Sequence, residues 1–307
     1  MELSSVEDIR VEKGMDLASL IKAYEKMHGF MASHIVEAIE ILKEMKRECD
    51  VRVLAFTANI VSTGARGIIA QLIEEHVFNV VITTCGTLDH DIARSFGGKY
   101  LKGRFDVDDA EVAKHGMHRL GNIFIPLNDY GPLIERIVYR LLDEIVSERR
   151  EWGVRELLHE IGERISDANS ILRACAATGT PIFVPGFVDG AFGTALYTYS
   201  KLKGLKVDAL KDQDELADIF FRAKKVGGLL IGGGISKHHA LWWSQFSGGM
   251  DYVVYVTTAV EWDGSLSGAM PREAVTWGKV RERAKKVVVY GDATVLLPIL
   301  AYGVLYT

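Results

Sequence analysis

Apolar positions along the chain alternate between two rhythms. Leu17, Leu20, Ile21, Tyr24, Met27 and Phe30 recur at the spacing of one helical face, and Ile35, Ala38, Ile39 and Ile41 repeat it in a second helix over 34–46. Such faces are packing surfaces, so residues 1–48 are expected to form a helical extension on the core or on a partner subunit, with the main domain over 49–307. Beyond it the rhythm changes to short unbroken apolar runs. Val51-Arg52-Val53-Leu54-Ala55-Phe56 and Val77-Phe78-Asn79-Val80-Val81-Ile82 predict strands, with a helix over 65–76 between them. The region 97–131 reads as a loop-rich excursion, and helices are expected over 133–150, 154–165 and 169–178. Strands then return at 181–185, 226–231, 251–258 and 286–290, a short one is possible at 206–208, and helices follow at 212–221 and from Thr294 to about Tyr302. This alternation predicts an α/β fold around a mostly parallel sheet, with no linker separating independent domains.

Polar residues gather where the strands end, and open α/β sheets bind ligands there. Asn59 and Ser62 follow the first strand; Thr84, Cys85 and Gly86 follow the second; Asp189, Thr258, Ala259, Asp292 and Ala293 follow later ones. Four such loops point to one nucleotide-sized site, although the GxGxxG dinucleotide pattern is absent. Cys85 fits a small packed filler better than a nucleophile, and Asp189 can either bind a hydroxyl or cap the helix beginning near Ala191.

The richest stretch spans 226–279. Gly232-Gly233-Gly234-Ile235-Ser236-Lys237-His238-His239 follows a buried strand and opens a helix whose free N–H groups suit an anion. Lys237 fits a solvated helix start, and the two histidines fit one surface and one packed residue. Lys279 follows Trp277 and Gly278; an aromatic wall can partly desolvate an amine and make it more nucleophilic, and an ordinary surface cation is the other reading.

Composition narrows the partners. With 36 basic against 41 acidic residues the net charge is −5, which argues against wholesale nucleic-acid binding. Three scattered cysteines do not make a disulfide scaffold or a zinc cluster, and Asp106, Asp108 and Asp109 lack the other positions of a calcium loop, so no metal is expected. No run is apolar enough for a membrane span and no basic-then-apolar leader opens the chain, so a cytoplasmic location is expected.

The order Gly232-Gly233-Gly234-Ile235-Ser236-Lys237-His238-His239, Asp251-Tyr252-Val253-Val254-Tyr255, Asp263-Gly264-Ser265, Ser267-Gly268-Ala269, Glu273-Ala274-Val275-Thr276-Trp277-Gly278-Lys279 and Asp292-Ala293 resembles the deoxyhypusine synthase family, across nearly the whole chain. The resemblance implies a single Rossmann-like domain, NAD as cofactor, and a homotetramer with active sites shared between chains. It implies transfer of the aminobutyl group of spermidine to one lysine of the hypusine-containing translation factor, through an imine on Lys279. By the same resemblance Asn59, Ser62, Thr84, Cys85, Gly86, Asp189, Gly233, Thr258, Ala259, Asp292 and Ala293 line the NAD site. His238, Glu273, Trp277, Gly264 and Ser265 stand at the substrate end, with Lys279 and His238 in the catalytic roles.

The chain departs from the family pattern at four positions. Thr194 and Leu266 stand where acidic residues meet the amine, Trp242 where asparagine is usual, and His90 where a glutamate holds the nucleotide ribose. A polyamine site without carboxylates holds ammonium groups less well. The other reading is therefore a paralogue with a different amine donor or acceptor, or a noncatalytic partner subunit of a true synthase.

Overall fold

The computed structural model describes residues 4–147 and 149–307. Its packing gathers into two compact units: the chain up to Ala55 together with Ile219–Thr307, and Phe56–Asp218. The chain opens with helices α1 (Leu17–Met27) and α2 (Phe30–Glu48) and strand β1 (Val51–Phe56). Asp16 caps α1 by accepting the Ser19 amide at 2.8 Å.

The unit Phe56–Asp218 begins with a 3-10 turn at Ala58–Ser62, then α3 (Ala65–Glu74), β2 (Val80–Ile82) and α4 (Cys85–Ser95). Next come β3 (Leu101–Lys102), α5 (Asp109–Lys114), β4 (Met117–Leu120), β5 (Ile123–Pro126) and α6 (Gly131–Ile145). It continues through β6 (Glu151–Trp152), α7 (Val154–Glu163), α8 (Ile171–Thr178), β7 (Ile182–Phe183), α9 (Ala191–Lys203) and β8 (Lys206–Val207). Strands β2 and β7 pair in parallel, and α4 packs on α6, α8 and α9. The region expected to be loop-rich holds a three-stranded antiparallel sheet, β3-β5-β4, with α5 beside it. Its strands are short and partly exposed, so they carry no continuous apolar run. Asp108 caps α5 and Asp109 pairs with Arg119, so two of the acidic residues of this region serve the local fold.

Two carboxylates on α4 hold this unit together. Asp91 accepts the Leu172 amide at 2.9 Å and the Ser170 hydroxyl at 2.8 Å, and thereby caps α8, while buried Arg66 reaches it at 2.6 Å. Asp89 accepts the Phe192 amide at 2.7 Å and the Ala191 amide at 3.0 Å, and so caps α9. The helix cap considered for Asp189 therefore belongs to Asp89.

After α10 (Leu210–Arg222) the chain forms β9 (Val226–Ile231), α11 (Gly234–Ser244), β10 (Met250–Thr257), α12 (Pro271–Thr276), β11 (Val280–Tyr290) and α13 (Ala293–Tyr306). In this unit β11, β10, β9 and β1 lie side by side in that order. β10 runs parallel to both neighbours, with Tyr255 opposite Leu230 and Val288. α2 packs on β9, β10 and β11, where Met45 meets Gly227, and on α13, where Ile39 meets Gly303; Ala38 and Leu42 are buried beside them in the helix. The fold is thus of the expected α/β, Rossmann-like class, with parallel strands and N-terminal helices. β11 is longer than expected because Arg281, Glu282, Arg283 and Lys285 hide its first half; charges of this kind suit the end strand of a sheet. Lys279 consequently stands immediately before a strand.

Candidate active site

In the unit that contains α11, β9 ends in the turn Gly232-Gly233-Gly234, and the following helix starts at Gly234. A Cβ on Gly233 would lie 2.2 Å from the Ser267 hydroxyl oxygen, so glycine is required there for the 265–268 loop to pack against the helix start. α11 then turns His238 and Trp242, one helical turn apart, to the same side. Their rings lie at 20° with centroids 6.0 Å apart.

Lys279 meets this pair from the other side. Its backbone is fixed: the amide donates to the Ala274 carbonyl at 3.0 Å, and the carbonyl accepts the Met250 amide at 3.0 Å and the Ser244 hydroxyl at 2.8 Å. Its amino nitrogen stands 5.6 Å from the centre of the Trp242 ring and 5.4 Å from that of Trp277, within the reach of cation–π attraction. Burial and the charge of Lys279 hold the His238 imidazole below its ordinary pKa, so it is mainly neutral near pH 7 and able to take a proton. Glu273 is exposed in the first turn of α12.

The other positions of this unit are set as follows. Gly264, at φ 72°, closes the 3-10 turn Glu261–Asp263, and the Ser265 amide donates to Asp263 at 2.7 Å. Thr258 and Ala259 follow β10, with the Ala259 amide donating to Thr257 at 3.1 Å. Asp292 caps α13, whose first residue is Ala293, by accepting the Thr294 amide at 2.7 Å. That contact and the Thr294 hydroxyl hold its carboxyl below the usual carboxylate range.

Lys237 departs from the solvated residue expected: it is only 1 % exposed. His238 is exposed and His239 packs against Trp243, whose indole N–H it accepts at 3.2 Å, in keeping with one surface and one packed histidine. Burial lowers the His239 pKa to about 4.

In the unit Phe56–Asp218 a cavity of about 460 Å³ is lined by Asn59, Gly86, Asp89, His90, Tyr130 and Asp189, among others, with Arg119 also on its wall. This size lies within the range of small-ligand sites. Ser62 and Thr84 flank it in sequence but are not among its lining residues, and the Ser62 hydroxyl is committed to the Asn59 carbonyl at 2.7 Å. Cys85 is buried, donates its thiol to the Phe187 carbonyl at 2.9 Å and is pushed up to about 12 by burial, so it is a packed thiol. His90 bonds the Tyr100 hydroxyl at 2.8 Å, and burial lowers its pKa to about 4. Thr194, in the first turn of α9, donates its hydroxyl to the Gly190 carbonyl at 3.0 Å.

Sequence reasoning missed Asp89, Tyr130 and the burial of Lys237. Asp89-His90-Asp91 between Leu88 and Ile92 was the available signal for the first, since a helix cannot turn three consecutive polar positions to water beside a packed face.

The deoxyhypusine synthase family model matches residues 19–304. The chain is 55% identical to a protein named "probable deoxyhypusine synthase" from Aeropyrum pernix, over 99% of each chain. It is 54% identical to a protein of the same name from Sulfolobus acidocaldarius, over 98% of this chain and 96% of the relative. In fold, it resembles a crystal structure from Entamoeba histolytica assigned to the same enzyme class, with a TM-score of 0.64 and 18% identity over 97% of this chain and 96% of that one. The chain therefore belongs to the deoxyhypusine synthase family, enzymes of NAD-dependent aminoalkyl transfer.

Proposed function

We propose that the chain transfers the aminobutyl group of spermidine to a lysine of the hypusine-containing translation factor, with Lys279 as the covalent carrier. The observation that carries this reading is the amino group of Lys279 held between the Trp242 and Trp277 rings beside a neutral imidazole. An aromatic wall suits the alkyl stem of a polyamine and still attracts its ammonium ends. In its neutral form Lys279 adds to the imine carbon of the oxidised donor; the new C–N bond forms, and 1,3-diaminopropane leaves with a proton. His238 is the group suited to carry that proton. The acceptor lysine then adds to the same carbon and displaces Lys279. Glu273, Gly264 and Ser265 would hold and orient the amine.

The cavity in the unit Phe56–Asp218 fits a nucleotide cofactor by its donor set. It offers an amide side chain at Asn59, close backbone approach at Gly86 and a carboxylate at Asp189 that no helix amide claims as its cap. In this reading Asn59, Gly86 and Asp189 hold NAD in this cavity, while Ser62, Thr84 and Cys85 shape the loops around it, Ser62 through the Asn59 carbonyl and Cys85 through the Phe187 carbonyl. Bound NAD would supply a hydride acceptor and donor. The chain's own share is amine exchange and exclusion of water.

The active form is a cytoplasmic homotetramer in which residues of two chains complete each site. Light scattering is then expected to give four chain masses; a fully active monomer would contradict the shared site. The direct test of function is incubation of purified protein with NAD, spermidine and the acceptor protein. Release of one 1,3-diaminopropane per modified lysine is the expected result, and no transfer to any acceptor lysine would overturn it.

A further inference from the structure

Among the described residues no carboxylate touches buried Lys237, a rare situation for a lysine, because a desolvated ammonium needs partners. All three of its donor directions are nevertheless used. The amino nitrogen donates to the Leu266 carbonyl at 2.8 Å and to the Ala269 carbonyl at 2.9 Å, and it lies 3.9 Å from the centre of the Tyr255 ring. Among the described residues the buried Tyr255 hydroxyl has no partner, and the ring meets the lysine through its face.

Those contacts join two segments. Lys237 belongs to α11, which carries His238 and Trp242; Leu266 and Ala269 belong to the loop that enters α12, after which come Trp277 and Lys279. Met270, next after Ala269, accepts the Glu273 amide at 3.0 Å and so begins α12. One amino group thus ties the histidine side of the Lys279 site to its lysine side.

We propose that Lys237 is the positioning residue of this site: it forms no imine itself but locks the Gly264–Met270 loop, and with it α12, onto α11. The proposal rests on the reading of Lys279 as the carrier. A tie made from a desolvated cation has a characteristic pH response. Burial lowers the Lys237 pKa from 10.5 to about 8, with the charge of Glu273 opposing the shift. The other titratable groups around it are Tyr255 on β10, raised by burial and neutral throughout, and His238 and His239 on α11, both lowered and neutral above pH 7. When the loop opens, water restores the ordinary value of 10.5. Between pH 8 and 10.5 the open state therefore binds more protons than the closed one, and rising pH favours closure.

Hydrogen exchange of the full chain, without donor or cofactor, tests this. Protection of the amides from Leu266 to Ala269, corrected for intrinsic rate, is expected to rise about thirtyfold from pH 7 to pH 9.5, while that of Val253–Val256 in β10 stays flat. Lys237→Met is expected to abolish the pH dependence and to lower kcat for transfer at least about tenfold with unchanged NAD affinity. The wild-type measurement needs no variant to fold. A pH-independent loop in the wild type, or a Lys237→Met enzyme with wild-type kcat, would overturn the proposal. A pH-dependent loop in a chain that transfers nothing would support the tie and contradict the transfer reading instead.

Discussion

Lys279 holds its amino nitrogen 5.4 Å from the centre of the Trp277 ring, and that indole remains 66% exposed. An exposed indole contributes little to the core, so its role is read in binding more than in folding. Trp277→Ala is expected to raise KM for a polyamine donor by roughly fivefold to tenfold, the equivalent of about 1 kcal/mol of cation–π attraction. Steady-state kinetics check this, with thermal unfolding expected to change by less than about 2 °C.

Asp89 and Asp189 have separable roles although both line the same cavity. Asp89 holds two α9 amides and the Tyr130 hydroxyl, the latter at 3.0 Å, so Asp89→Ala is expected to cost on the order of 2–3 kcal/mol in urea unfolding. Asp189 is exposed, and Asp189→Ala is expected to cost less than about 0.5 kcal/mol while weakening NAD binding in titration calorimetry.

The buried pair of Arg66 and Asp91 predicts a strong asymmetry. Arg66 also reaches Asp167 at 2.7 Å and the Ser95 hydroxyl at 2.7 Å, so Arg66→Ala leaves two carboxylates without their cation. A loss of about 3–5 kcal/mol is expected in equilibrium unfolding. Arg66→Ala combined with Asp91→Asn is expected to recover part of it.

His90 and His239 each weaken the folded chain towards acid. Burial lowers both from 6.5 to about 4 in the folded chain. Between those values the unfolded chain binds protons that the folded chain refuses at these two rings, so their contribution to stability falls as pH drops from 6.5 towards 4. Asp212, raised by burial to about 6, and Asp89, also raised by burial, act in the opposite sense, so the comparison is between variants: across that window the rise of stability with pH is expected to be smaller in His90→Asn than in the wild type by about one proton, read from urea midpoints.

The alternation of periods made the α/β class legible, because buried parallel strands are written as unbroken apolar runs such as Leu229-Leu230-Ile231. The β3-β5-β4 sheet and the first half of β11 were not, because exposed or charged strand positions leave no such run. For the site, Trp277-Gly278-Lys279 was legible as an aromatic wall beside an amine. The burial of Lys237 was not, since its partners are backbone carbonyls and the face of one tyrosine, none of which marks itself in the sequence. The capping of α9 was hidden for a similar reason: its carboxylate, Asp89, comes from 103 positions before Phe192.

The central claim is that Lys279 is the covalent carrier. The measurement is borohydride reduction of the protein during turnover with NAD and spermidine, followed by peptide mass spectrometry. The account predicts an aminobutyl adduct on Lys279 and none in Lys279→Arg, which keeps the charge but cannot form the imine and still binds NAD. An adduct on Lys237 or any other residue, or undiminished transfer by Lys279→Arg, would contradict it.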